Sequence, residues 1–261
     1  MEQFNNAGHS HEHSLKFLKL MNGYVDFMDN IRTVADFGCG SGQDLDWWAR
    51  LEYVEITEDD DGNIIAETVK PRNYRCFAVD RDISKIDAVL PDNVTVVAGD
   101  FEERRLLSTE VDMLWCHDTF QYLTNPLNTL KLFNQQMNVN GMLCLSFPMQ
   151  SAHINNRFVS RGFNYGYFNH NIISLMYMLA VNGFDCRDAY FLKQANDPWI
   201  YAAVYKSPHA PMDPKKTNWY DLIDKNLINE SVKNSVLKHG CVWQNELITL
   251  WLDRSYYFVE D

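Results

Sequence analysis

Three acids and three glycines carry the most specific chemistry in this sequence. An apolar run ends at Asp36, and after Phe37 glycines alternate at Gly38, Gly40 and Gly42, with Cys39 between the first two. A strand that turns sharply into a helix beneath a bulky ligand needs residues without a Cβ where the backbone swings, and alternating glycines supply them. Downstream, Tyr74 to Val79 is a second apolar run that closes on Asp80, and Val94 to Ala98 a third that closes on Gly99-Asp100-Phe101. A carboxylate at the tip of a buried strand is placed to accept both hydroxyls of a ribose. A fourth run, from Asp112, closes on His117-Asp118, two further groups able to handle protons.

Those residues need a frame of strands and helices in a set order. Gln43 to Arg50 is expected as the first crossover helix, its positive N-terminal end facing the ligand. Leu127 to Met137 is expected as a later crossover helix, and Asn140-Gly141 as the turn before a fifth strand ending at Pro148. Ahead of the first strand, Leu18, Met21, Val25 and Met28 recur at helical spacing, with Ser14 as the N-cap. Asn171 to Val181 reads as a helix stopped near Gly183, followed by strands at Asp188 to Leu192 and Ile200 to Tyr205.

This succession of strands, acids and glycines resembles the class I S-adenosylmethionine-dependent methyltransferases, in their small-molecule branch, over residues 14–206. The resemblance implies an α/β fold: a Rossmann-like, seven-stranded, mostly parallel sheet with helices on both faces and a C-terminal antiparallel hairpin. It implies S-adenosylmethionine as cofactor and S-adenosylhomocysteine as product. It places Asp36, Gly38, Cys39, Gly40, Gly42, Asp80, Arg81, Gly99, Asp100, Phe101 and His117 around the cofactor. In this family the second acid holds the ribose, the third meets the adenine amino group, and the apolar residue after it covers the ring. The helix before the first strand commonly lines the same site.

Methyl transfer from a sulfonium is an in-line displacement, so the protein mainly holds donor and acceptor in near-attack geometry. A base is needed only for a protonated acceptor, and the family has no universal catalytic residue. The fourth strand tip lies nearest the methyl group in such folds, which makes His117 and Asp118 the first catalytic candidates, with His153, Tyr122 and His170 behind them. Enzymes acting on exocyclic amines of DNA bases or on glutamine carry an Asn/Asp-Pro-Pro-aromatic motif after this strand, whereas this chain has Cys116-His117-Asp118-Thr119. The Pro-Cys nucleophile of cytosine-C5 enzymes is absent as well. What remains is transfer to an O, N or C atom of a small molecule, with tRNA modification or a non-catalytic cofactor-binding subunit as the alternatives.

The chain departs from the family pattern at five places. Residues 1–13 read as a flexible arm, and its alternating His9, His11 and His13 are expected to hold no metal. Asp36 and Asp80 lie 44 residues apart, against about 20 between the glycine loop and its acid in nucleotide-binding units. The extra residues, 51–73, alternate apolar and polar around Asp61-Gly62 and predict an inserted β-hairpin ended by Pro71. Gln121-Tyr122 stands where the small-molecule branch carries a His-containing pair. Residues 151–170 are aromatic and aperiodic, as in a substrate lid. Residues 207–261 form a C-terminal extension: Leu222, Ile223, Leu227, Val232 and Val236 predict a helix up to Gly240, Leu247 to Leu252 predicts another, and Trp219, Trp243 and Trp251 require docking on this domain or on a second copy in a homodimer.

Composition limits the partners. The chain has 261 residues, 46% of them apolar, and a formal charge of −12. Its adjacent basic pairs are Arg104-Arg105 and Lys215-Lys216, too few and too scattered for a phosphate-tracking surface, so nucleic acid is disfavoured. No apolar run of membrane-spanning length and no basic-then-apolar leader is present, and the six cysteines show no Cys-x-x-Cys spacing. A cytoplasmic protein with reduced thiols is the expectation.

Overall fold

The computed structural model describes residues 12–22, 28–59, 61–148, 172–192 and 199–240. Among them are nine strands: β1 (Thr33–Phe37), β2 (Glu52–Glu58), β3 (Ile64–Pro71), β4 (Arg75–Asp80), β5 (Val94–Ala98), β6 (Val111–His117), β7 (Met137–Pro148), β8 (Phe184–Leu192) and β9 (Trp199–Lys206). Six α-helices accompany them among the described residues: α1 (Glu12–Asn22), α2 (Gln43–Ala49), α3 (Pro126–Gln135), α4 (Ile172–Val181), α5 (Trp219–Asp224) and α6 (Glu230–His239). Seven strands form one sheet in the order β5-β4-β1-β6-β7-β9-β8. The first five of these run parallel, whereas β9 is antiparallel to both β7 and β8.

Both faces of the sheet are covered, which is why its central strands read as unbroken apolar runs. On one face Phe17, Leu18 and Met21 of α1 and Leu45 and Trp48 of α2 pack on Val34, Met113, Trp115 and Tyr201. On the other, Phe133 of α3, Leu175 and Leu179 of α4, Leu222 of α5 and Val232 and Val236 of α6 pack on Ala35, Phe37, Leu114 and Leu145. Alternation along β1 thus sends Val34 to one core and Ala35 and Phe37 to the other. Asp112 ties the entry edge together: its Oδ2 accepts from the Arg32 amide at 2.8 Å and from the Thr33 amide and hydroxyl at 2.9 Å each.

The structure alters several boundaries. α1 begins at Glu12, so Ser14 lies inside the first turn, fully buried, and is not the cap. The Asn140-Gly141 pair is no turn before the fifth strand. β7 starts at Met137 opposite Val111, and the register then slips so that Met113 faces Met142. The extra residues form an irregular bulge with Asn140 at φ 65°, a left-handed conformation that asparagine tolerates. Beyond β9, the single helix expected up to Gly240 is two, broken where Asn226 takes φ 54°. Gly240 does end α6, in a left-handed C-cap. Leu227 and Ile228, between the two helices, are buried in the main core, and the Cys186 amide of β8 donates to the Leu227 carbonyl at 2.9 Å. Residues 207–240 therefore close the β8 edge of the sheet, which would otherwise present unpaired backbone groups. The arm before residue 12, the stretch 151–170 and the second predicted tail helix lie outside the described residues.

The inserted hairpin is present as β2 and β3, a two-stranded sheet separate from the main one. Asp59 organises its turn, accepting from the Asp61 and Asn63 amides at 3.0 and 2.8 Å, while Gly62 takes φ 80°. Val54, Ile56, Ile64, Ile65 and Val69 are all exposed. Little of the domain's core depends on this arm. Replacing residues 53–70 by a short turn is therefore expected to change the unfolding free energy by no more than about 0.5 kcal/mol, a surface-sized effect. A urea titration that showed a loss several times larger would place the hairpin in the cooperative unit.

Candidate functional site

The carboxyl ends of β1, β4, β5 and β6 meet at one edge of the sheet, where strand order reverses about β1. Such a switch point leaves a crevice between diverging loops. The chain after β1 crosses it with Gly38, Gly40 and Gly42 at φ 85°, 50° and 83°. The three differ in what surrounds them. A Cβ on Gly38 would lie 2.3 Å from the Thr119 hydroxyl, so this glycine lets two loops touch. A Cβ on Gly40 would meet nothing within 4 Å, which leaves that peptide open to a ligand. Gly42 caps α2, whose first turn carries the acids Asp44 and Asp46.

Asp80 fastens the loop. One carboxylate oxygen accepts from the Gly40 amide at 3.1 Å and the other from the Asp82 amide at 2.9 Å. The Gly38 and Cys39 amides both donate to the Val79 carbonyl, at 2.8 and 3.3 Å, which draws the loop over the tip of β4. Gly99 continues the edge, its amide donating to the Asp80 carbonyl at 3.0 Å. Asp100 follows and accepts from the Glu102 amide at 2.9 Å. Phe101 turns inward instead: it is 8% exposed and packs edge-on against Phe37, ring centroids 5.5 Å apart. Arg81 is exposed on the loop after Asp80.

Beneath the glycines lies a buried acid pair. Asp36 is 2% exposed, and burial, then the neighbouring Asp44 and Asp80, push its carboxyl well above the usual range. Asp44 accepts from the Trp115 indole N–H at 2.8 Å. Burial, then Asp36 and Asp80, likewise push the Cys39 thiol up, so it is no nucleophile. A cation placed against the Asp36 carboxyl would favour its ionised form and offset the charge it gains, so this edge favours a cationic ligand.

The β6 tip supplies the second half of the edge. His117 pairs in register with Ser146 of β7, and the His117 Nδ1 and Ser146 Oγ lie 2.5 Å apart. The ring stacks on Trp199 of β9, with centroids 5.0 Å apart and planes within 9°. Trp199 in turn stacks near Tyr201, and Phe17 of α1 rests 4.7 Å from Trp115 and 5.4 Å from Tyr201. An aromatic band thus runs across β6 and β9 beneath α1. Asp118, at φ 48°, is exposed and accepts from the Gln121 amide nitrogen at 2.6 Å. Tyr122, 46% exposed, follows on a short 3-10 turn. His153 and His170 lie outside the described residues.

The structure therefore brings Asp36, the three glycines, Cys39, Asp80, Gly99, Asp100, His117 and Asp118 to one edge and packs the Phe101 ring against Phe37 beside it. Asp44, Thr119, Ser146 and Trp199 complete the edge without having been singled out. Asp44 is one acid among several at the start of α2, and the partners of Ser146 and Trp199 emerge only from strand pairing. Among the described residues no group of three or more His, Cys, Asp or Glu side chains is placed to hold a metal ion, and no helix is long and apolar enough to cross a membrane.

The strand order, the glycine loop after β1 and the antiparallel β8–β9 pair define the class I S-adenosylmethionine-dependent methyltransferase fold, and solved structures agree. A candidate methyltransferase from Bacillus halodurans superposes with a TM-score of 0.53 at 12% identity, over 74% of this chain and 99% of that one. Magnesium protoporphyrin IX methyltransferase from Synechocystis, with bound S-adenosylhomocysteine, gives 0.51 at 14% over 75% and 84%. A chain of the complex between the Haloferax volcanii Trm112 methyltransferase activator and a candidate methyltransferase gives 0.50 at 12% over 76% and 95%. No family model and no curated protein matches the sequence.

Proposed function

We propose that this protein is an S-adenosylmethionine-dependent methyltransferase acting on a small molecule. The observation that carries the reading is the pairing of the open Gly40 peptide with Asp80, beside the buried acids Asp36 and Asp44. The residues fit the cofactor: Gly40 leaves space for its bulk, Asp80 and Asp100 offer carboxylates for its hydroxyls and adenine, and Asp36 answers its positive charge. Bound there, S-adenosylmethionine would supply a methyl group on a sulfonium. The chain's own part is to orient the acceptor at the His117 and Asp118 tip and to exclude water from it. The charge of −12 and the scarcity of basic clusters favour a small acceptor over RNA.

Calorimetry with S-adenosylmethionine and S-adenosylhomocysteine tests the reading, with micromolar affinity expected, about −8 kcal/mol. Asp80→Ala is expected to weaken both by about 1 to 3 kcal/mol, because it removes charged hydrogen bonds and loosens Gly40. If neither ligand gives binding heat or a thermal shift, the proposal fails. For the acceptor, a methylated mass appearing in a metabolite extract supports a small molecule, whereas micromolar retention of tRNA at about 150 mM salt with no such product opposes it.

A further inference from the structure

We infer that a cleft at the far edge of the sheet binds the phosphate group of a small organic molecule between Arg105 and Lys206. This edge lies at the amino ends of β6 and β7 and the carboxyl end of β9, opposite the glycine loop, so the site is independent of methyl transfer. The cleft holds about 410 Å³, a volume ordinary for small-molecule sites. Arg105 and Glu110 line it from the loop before β6, Lys206 and His209 from the end of β9 and the segment after it. The two cations are fixed in place by neutral groups. Arg105 Nε donates to the Leu107 carbonyl at 2.9 Å, and the Leu106 and Leu107 amides both donate to Oε1 of the fully buried Gln136, at 2.8 and 3.0 Å. That leaves both Nη groups of Arg105 without a partner among the described residues. Lys206 Nζ donates to the Met137 carbonyl at 2.6 Å, which takes one of its three protons.

Neither cation has an ion-pair partner among the described residues, although the chain carries a net charge of −12. Burial pushes the Lys206 ammonium below its ordinary value; Glu110 opposes that shift and Arg105 adds to it, so the three charges share one field. Two like charges anchored on carbonyls gain from an anion set between them, because it offsets both at once. The donors select the anion. The two Nη groups of a guanidinium match two oxygens of a carboxylate or a phosphate, and an ammonium arriving from the opposite wall calls for a third. A phosphate group has that oxygen, whereas a carboxylate does not. The remaining room, with Val139 and Pro211 on its walls, suits the organic part that carries the phosphate.

Titration of the full chain with inorganic phosphate, glycerol phosphate and acetate, followed by calorimetry and 1H–15N spectra, tests the site. Both phosphates are expected to bind with about millimolar affinity or better, shifting the Ser207 and His209 amides, and acetate at least about fivefold more weakly. Arg105→Gln should weaken phosphate about tenfold, and Glu110→Gln, which removes the opposing charge, should tighten it about threefold. Arg104→Gln is the control, since it deletes the same charge from the neighbouring residue, which does not line the cleft, and should leave affinity unchanged. All three residues are exposed, so the variants are expected to fold. No binding of either phosphate at about 20 mM, equal affinity for acetate, or equal weakening by Arg104→Gln and Arg105→Gln would overturn the inference. S-adenosylmethionine binding is expected to be the same in all three variants, so failure here leaves methyl transfer standing, and failure of cofactor binding leaves the phosphate site standing.

Discussion

Asp36→Asn is expected to make the protein more stable and, at the same time, a much poorer binder of S-adenosylmethionine. The wild-type carboxyl is held above its usual range by burial, then by Asp44 and Asp80. A raised carboxyl means that the folded state binds this proton more tightly than the unfolded chain does. Stability from this group is therefore present at low pH and declines as pH rises from the unfolded value through the folded one. Asparagine has nearly the same shape and no charge, so the variant escapes that decline. Its advantage over wild type should grow as pH rises above the ordinary carboxylate value of 3.8, by up to about 1.4 kcal/mol per pH unit, and level off once the folded carboxyl has ionised. The same change removes the anion that answers a cationic ligand, a loss of about 1.5 to 3 kcal/mol, or one to two decades in Kd. Thermal unfolding across that pH range and calorimetry at its upper end check both halves. An Asn variant that is less stable than wild type at every pH would show that Asp36 is a structural hydrogen-bonding group and not a strained functional one.

Much of that edge is legible in the linear sequence because its determinants are local. Alternating glycines after an apolar run can be read without knowing what packs on them, and so can an acid at the end of each of the next two runs. The hairpin was equally legible, since its alternation and Asp61-Gly62 turn are local too. What is not legible depends on contacts distant in the chain. Ser146 matters because the β6–β7 register sets it opposite His117, 29 residues earlier. Asp44 matters because the Trp115 indole, 71 residues on, lies against it. The bulge at Asn140 follows from the entry of β7 beside Val111, which no turn signal encodes. Phe101 combines both kinds of signal: its place after Gly-Asp is local, whereas its packing on Phe37 and Phe133, where burial of a phenyl group is favourable, depends on distant residues.

Gly183→Ala is expected to cost about 3 kcal/mol of stability while leaving cofactor affinity unchanged. Gly183 joins α4 to β8 at φ 80°, where an alanine already carries about 1 to 2 kcal/mol of strain. A Cβ there would also lie 2.4 Å from the His209 carbonyl oxygen and 3.1 Å from Asn134 Nδ2. The first obstacle is backbone, so the turn and the segment after β9 must separate. Overpacking of that kind adds about 1 to 3 kcal/mol. Separation would in addition strain the Gly183 carbonyl, which accepts from the Ser207 amide at 3.0 Å and the Ser207 hydroxyl at 2.8 Å. Those bonds are what start residues 207–240 on their path along β8, so the damage should spread to the Leu222 and Val232 layer of the core. The glycine loop is untouched because β8 begins at the opposite edge of the sheet, beside Lys206 and away from the β1 and β4 tips. Gly240→Ala is the control. It has a similar φ of 72° at the end of α6, with nothing within 4 Å of its Cβ, so it should show the backbone strain alone. Urea unfolding of the two variants separates the causes, because equal losses would mean that the conformation of residue 183, and not the His209 contact, sets the need for glycine.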